Sequence, residues 1–187
     1  MHYLLEKLQK DHRNLEKILD LLTSQLDHFL SGQESDFDLK IELLEYMEAY
    51  ADQGHHPLEN VIFTVAKPLA GDRVELLERL MQQHTELAQL TRTFRNSLEN
   101  IFQGGVMQRD ELEIQGREFI ALQRQHLVLE EEQAFPILDE LLQEKEWQEI
   151  IEKSPNHDDP VFEKPDKIRF QTLFEYLSKA EQTEQLD

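Results

Sequence analysis

His55-His56-Pro57-Leu58-Glu59 and His126-Leu127-Val128-Leu129-Glu130 share one pattern, a histidine four residues before a glutamate that is itself preceded by leucine. Residues i and i+4 of an α-helix lie on one face, roughly 5–6 Å apart, so each segment offers an imidazole nitrogen and a carboxylate to a single point. Each is half of a metal site. His56, three residues before Glu59, can share the same face. The four-residue spacing recurs in the second segment, which favours His55 as the ligand and leaves His56 as an outer neighbour.

A lone histidine precedes each pair at nearly the same interval. Asp11-His12-Arg13-Asn14-Leu15 and Gln83-His84-Thr85-Glu86-Leu87 both read x-His-x-x-Leu. The chain therefore looks like two copies of a helix–helix unit, each contributing a histidine and then a histidine with a glutamate.

Apolar residues recur at three and four along the chain, the stripe of a core-facing helix. In the first helix the stripe is Leu5, Leu8, His12, Leu15, Leu19, Leu22, Leu26 and Phe29, ended by Ser31-Gly32. The second runs from about Asp36 to Leu69 with Leu44, Met47, Ala51, His55, Leu58, Ile62 and Ala66 inward, Glu59 on the flank, and Pro57 expected to kink it. The third is N-capped by Asp72 and carries Leu77, Leu80, His84, Leu87, Thr91, Phe94, Leu98 and Ile101 before Gly104-Gly105. The fourth starts near Gln108 and turns Leu112, Phe119, Leu122, His126, Leu129, Ala134, Ile137 and Leu141 inward, with a bend at Pro136. No segment alternates with period two, so no strand is expected.

Four long helices with short loops predict an all-α, up-down-up-down antiparallel four-helix bundle. His12 then lies as far before the first turn as His55 lies after it, and the same holds within one residue for His84 and His126 around the third turn. Across the middle turn the mismatch is about two residues, or about 3 Å of rise. Four histidines and two glutamates thus converge in one layer. Two glutamates buried there without partners would each cost several kcal/mol or take up a proton, a cost that a bound dication removes.

Composition sets the limits. The 187 residues, 39% hydrophobic, suffice for one domain with an ordinary core. With no run of about 18 apolar residues and no signal-peptide pattern, neither a membrane span nor secretion is expected, and the cytoplasm is the default location. The chain has no cysteine, which excludes disulfides, thiolate metal sites, iron–sulfur clusters and thiol catalysis. A net charge of −20 argues against nucleic-acid and anionic membrane partners and favours cations. Much of that charge forms solvated helix faces that serve solubility.

His12, His55, Glu59, His84, His126 and Glu130 exceed what one tetrahedral ion needs. Two ions bridged by two carboxylates, each with two histidines, use the set fully and leave open coordination positions. Nitrogen and oxygen donors suit iron, manganese, cobalt or zinc.

His55-xxx-Glu59 and the run His126-Leu-Val-Leu-Glu130-Glu-Glu-Gln-Ala-Phe135-Pro136 resemble the hemerythrin-like, or HHE cation-binding, domains, and the likeness extends over about Leu4 to Leu142. The resemblance implies a four-helix bundle with a non-haem centre of two iron ions, manganese or zinc being alternatives. His12, His55, His84 and His126 would be terminal ligands, and Glu59 and Glu130 would be bridges. The oxygen-carrying members have a further histidine four residues after the one on the third helix, where this chain has Ala88, and their last carboxylate is an aspartate where this chain has Glu130. These departures argue against reversible oxygen carriage. They favour a protein that binds or senses oxygen, nitric oxide, peroxide or iron, while a peroxide- or oxygen-detoxifying enzyme and an iron-storage protein remain alternatives. Members that repair iron–sulfur clusters usually carry a cysteine-containing segment, which this chain lacks.

Residues 1–143 are read as the bundle and 144–187 as a helical extension packed on it. In the extension, Trp147, Ile150 and Ile151 mark one short helix, Ser154 to Pro165 a loop, and Ile168, Phe170, Leu173, Phe174 and Leu177 a second helix; a homodimer contact or a partner-docking helix is the alternative use of this tail. Glu131 and Glu132 are read as solvated, Tyr50 as a packing residue, and His2, His28 and His157 as surface residues.

Overall fold

A computed structural model describes residues 1–33 and 36–184, with side chains up to residue 179; residues 185–187, the end of the expected extension, lie outside the described residues. Those described form helices and connecting turns without a strand. The first helix, α1, spans Tyr3–Leu30, and Gly32 adopts a positive φ of 75° just past its end, the usual helix-terminating conformation. A second rod is continuous from Phe37 to Leu69: α2 (Phe37–Tyr46), a π-helical segment Met47–His55, α3 (His56–Ala66) and a 3-10 turn. The Asp36 side chain caps α2 by accepting the Leu39 N–H at 3.0 Å. The third rod is α4 (Val74–Phe102). The fourth comprises α5 (Arg109–Leu129), a π-helical turn Glu130–Ala134 and α6 (Phe135–Leu141).

Both π-helical segments end two residues before a proline. The His56 N–H bonds to the Ala51 carbonyl and the Phe135 N–H to the Glu130 carbonyl, each five residues back. In a regular α-helix the rings of Pro57 and Pro136 would collide with the carbonyl four residues earlier. A turn one residue wider moves that carbonyl aside, so the kinks expected at the prolines take the form of inserted residues.

The insertion corrects the sequence reading of the fourth rod. Beyond Glu130 the apolar stripe advances by one residue, and Phe135, Leu138 and Leu142 are buried where Ile137 and Leu141 were expected. Asp72 also differs from expectation: it sits inside a 3-10 turn, Gly71–Arg73, and Arg73 occupies the N-cap of α4 without a side-chain bond.

The apolar core falls into two clusters. One includes Leu15, Leu22, Leu44, Met47, Phe94 and Phe119; the other includes Leu5, Leu8, Ile62, Leu77, Phe135 and Leu138. Successive rods cross from one cluster to the other in alternate directions, and α1, α2, α4 and α5 pack as a closed ring of neighbours. The polar layer at His12, His55, His84 and His126 lies between the clusters.

Two further helices complete the described chain, α7 (Glu144–Lys153) against α3 and α8 (Gln171–Glu184) against α2. Trp147 and Ile150 enter one cluster, and Phe170 and Leu173 the other. Between these helices Asp159 is fully buried. It accepts the Tyr46 hydroxyl at 2.9 Å and the N–H groups of Val161 and Phe162 at 2.8 and 2.9 Å, which pins the loop to α2. His2, expected at the surface, instead caps α1 and stacks on Trp147, ring centroids 4.0 Å apart. No described helix is long and apolar enough to cross a membrane.

Candidate metal centre

All six residues singled out by spacing meet in the polar layer, and none is more than 4% exposed. α1 presents His12, α4 presents His84, and α5 presents His126. His55 closes the first π-helical segment, Glu59 lies one turn into α3, and Glu130 opens the second π-helical turn.

The carboxylates divide their oxygens between two sides. Glu59 Oε1 lies 3.3 Å from His55 Nε2 and 3.5 Å from His12 Nε2, while its Oε2 lies 3.4 Å from His84 Nε2. Glu130 Oε2 lies 3.4 Å from His12 Nε2, and its Oε1 lies 3.2 and 3.4 Å from His126 and His84 Nε2. The donors form two clusters with atoms within 4.8 Å of one another: His12, His55, Glu59 and Glu130 in one, and His56, Glu59, His84 and His126 in the other. His56, read from sequence as an outer neighbour, is thus among these donors and is 2% exposed.

The histidines are held from outside by their Nδ1 atoms. His12 Nδ1 meets Glu131 Oε1 at 3.0 Å, His84 Nδ1 meets Asn60 Oδ1 at 2.8 Å, and His126 Nδ1 meets Gln83 Oε1 at 3.1 Å. His55 Nδ1 faces Asp11 Oδ2 at 3.5 Å and His56 Nδ1 faces Asp52 Oδ1 at 3.4 Å. An acceptor at Nδ1 places the proton there and turns the Nε2 lone pair inward, the arrangement that orients metal-bound imidazoles. Glu131, read as solvated, is partly exposed yet serves this purpose. Asp11, Asn60, Gln83 and Glu131 each adjoin a donor in sequence while orienting a histidine on a different rod. That adjacency was the only sequence signal they offered.

A metal fits this donor set. His12 Nε2, His55 Nε2, both Glu59 oxygens and Glu130 Oε2 are buried without a hydrogen-bond partner. Leaving so many polar atoms unsatisfied is costly unless a cation engages them. Electrostatics point the same way. Burial is the largest influence on His55 and lowers its pKa, but the Glu59 and Asp11 carboxylates outweigh it and hold the pKa at about 10. His84 reaches about 9, where Glu130 and Glu59 overcome burial. Burial also works against ionisation of Glu59, yet His55, His12 and His84 keep its pKa well below the usual carboxylate range. His56 is the exception, pushed well below the ordinary imidazole value by burial and then by His84, His126 and His55. The layer therefore stores anionic carboxylates compensated by protons that a dication can displace.

A cavity of about 150 Å³ adjoins the centre, between α1, the first π-helical segment and the loop after α7, lined among others by Lys7, Asp11, Tyr50, His55, His157 and Glu163. Tyr50, expected to serve packing, is buried and also accepts Lys7 Nζ at 3.2 Å. His157 bonds the Ala49 carbonyl at 2.8 Å.

No curated protein and no solved structure matches the chain significantly. The family model described as the hemerythrin HHE cation-binding domain matches residues 3–138, which reach into all four rods and include every donor named above, and the chain belongs to that family.

Proposed function

We propose that this chain holds two non-haem iron ions in an up-down-up-down four-helix bundle formed by residues 1–143, and that it binds or senses a small ligand such as oxygen, nitric oxide or peroxide, or iron itself. The observation that carries this reading is the division of the Glu59 and Glu130 oxygens between two sets of histidines. A carboxylate that serves one ion has no need to face donors on both of its sides.

Within this reading Glu59 and Glu130 bridge, and His12, His55, His84 and His126 are terminal ligands. Glu131, Asp11, Asn60 and Gln83 fix the rings in the tautomer that offers Nε2. The apolar clusters on either side of the layer exclude bulk water. A bound iron pair supplies redox change and open coordination positions. His55 ends the π-helical segment that touches the C-terminal loop through Ala49 and His157, a contact through which ligation can change the packing of residues 144–187.

The test is the iron content of protein loaded anaerobically with ferrous iron, together with its ultraviolet-visible spectrum before and after air. About two irons per chain and near-ultraviolet absorption that appears in air support the reading. One ion per chain, or retention of zinc alone, overturns it. Repeated turnover of peroxide by the loaded protein would move the assignment from sensor to enzyme.

A further inference from the structure

We propose that His56 is a seventh donor, so that the two ion positions are unequal: His12 and His55 serve one, His56, His84 and His126 serve the other, and Glu59 and Glu130 lie between them. The inference rests on the dinuclear reading above and adds a ligand to it.

The alternative role for His56 is that of an outer residue orienting a ligand, and the structure leaves it no such place. The Nδ1 atoms of His12, His55, His84 and His126 already face Glu131, Asp11, Asn60 and Gln83. Both ring nitrogens of His56 are buried without a hydrogen-bond partner, a costly state for an imidazole that only packs. Its surroundings also repeat those of the other histidines. The ring lies parallel to His84 at 4.4 Å between centroids and at 87° to His126 at 5.5 Å. Its Nδ1 faces a carboxylate, Asp52, at 3.4 Å. One of its nitrogens clusters within 4.8 Å of donor atoms from Glu59, His84 and His126.

Backbone geometry explains how two consecutive residues contribute. In a regular helix neighbours diverge by about 100°, which would turn one of the two rings away. The widened turn that ends at His55 reduces that divergence, and both rings are 2% exposed. The position served by His56 would have three nitrogens and two carboxylate oxygens, and the other position two of each. The two ions should therefore differ in affinity and in the number of open coordination positions.

Cobalt(II) titration of the metal-stripped full chain, followed by proton NMR, tests the proposal. Each cobalt-bound imidazole carries one exchangeable Nδ1–H whose resonance is shifted far outside the diamagnetic range. The expected result is two cobalt ions per chain with five shifted exchangeable resonances. His56→Gln should show four, and its second cobalt equivalent should bind at least about 100-fold more weakly, beyond the roughly 10–100-fold typical of losing an outer partner. Four resonances in the unsubstituted protein, or five retained in His56→Gln, overturn the proposal. The count in the unsubstituted protein decides the matter even if the variant fails to fold. Two cobalt ions with four resonances would leave the dinuclear reading standing without His56, whereas a single cobalt would remove both.

Discussion

Glu59 and Glu130 are fully buried carboxylates that pair, among the described residues, with histidines and with no lysine or arginine, so their stability depends on the histidines and on any bound dication. Glu59→Ala or Glu130→Ala should abolish dinuclear binding, measured as metal per chain; retention of two metals in either variant would refute the bridging assignment. Asn60→Ala removes the acceptor of His84 Nδ1 without touching a donor, and metal affinity should fall about 10–100-fold at unchanged stoichiometry, as read by titration. The histidine pKa values give a pH signature of the opposite sign in stripped and loaded protein. His55 and His84 have folded pKa values of about 10 and 9, above the unfolded value near 6.5. Their stabilising contribution is complete below about pH 6.5 and is lost as pH rises through 9–10. The Tm of the stripped protein should therefore fall over that range by about 2–4 °C for each kcal/mol lost. Metal binding displaces the same protons, so metal affinity should rise over the same interval. Calorimetry of the two forms side by side checks both trends.

The π-helical turns connect the prolines to the centre. Each inserts a residue next to a donor, and the second shifts the stripe so that Phe135 stacks on His12, ring centroids 5.2 Å apart. Pro57→Ala removes the steric reason for the first insertion. The stripped variant should be no less stable than the parent, because a regular turn restores ordinary helical hydrogen bonds. Metal affinity should drop by about tenfold or more, because His55 and His56 would then diverge by the full α-helical angle of about 100°. A Tm comparison with and without metal separates the two effects, and unchanged affinity would show that the insertion does not depend on the proline.

Across the whole molecule, the C-terminal segment closes the side of the centre nearest His55. A Cβ at Gly54 would collide with the His157 ring, so the loop can lie on the rod only because this position is glycine. Gly54→Ala should push His157 from the Ala49 carbonyl, cost about 1–3 kcal/mol as other overpacked sites do, and expose the segment around residues 154–163 to proteolysis. An unchanged digestion pattern would show that the loop is held elsewhere, chiefly by Asp159.

Helix throughout, and the gathering of His12, His55, Glu59, His84, His126 and Glu130 in one buried layer, were legible from the order of residues alone. Helical periodicity is a local property, and a three- or four-residue spacing maps directly onto one face. Tertiary structure decided what depends on contacts between rods. It brought His56 in beside His84 and His126, paired Asp11, Asn60, Gln83 and Glu131 with histidines on other rods, and turned Phe135 and Leu138 inward in place of Ile137 and Leu141. It also set His2 on Trp147 and His157 over Gly54. These outcomes follow from one-residue insertions and from side chains meeting across the core, which a strictly regular 3.6-residue period cannot represent.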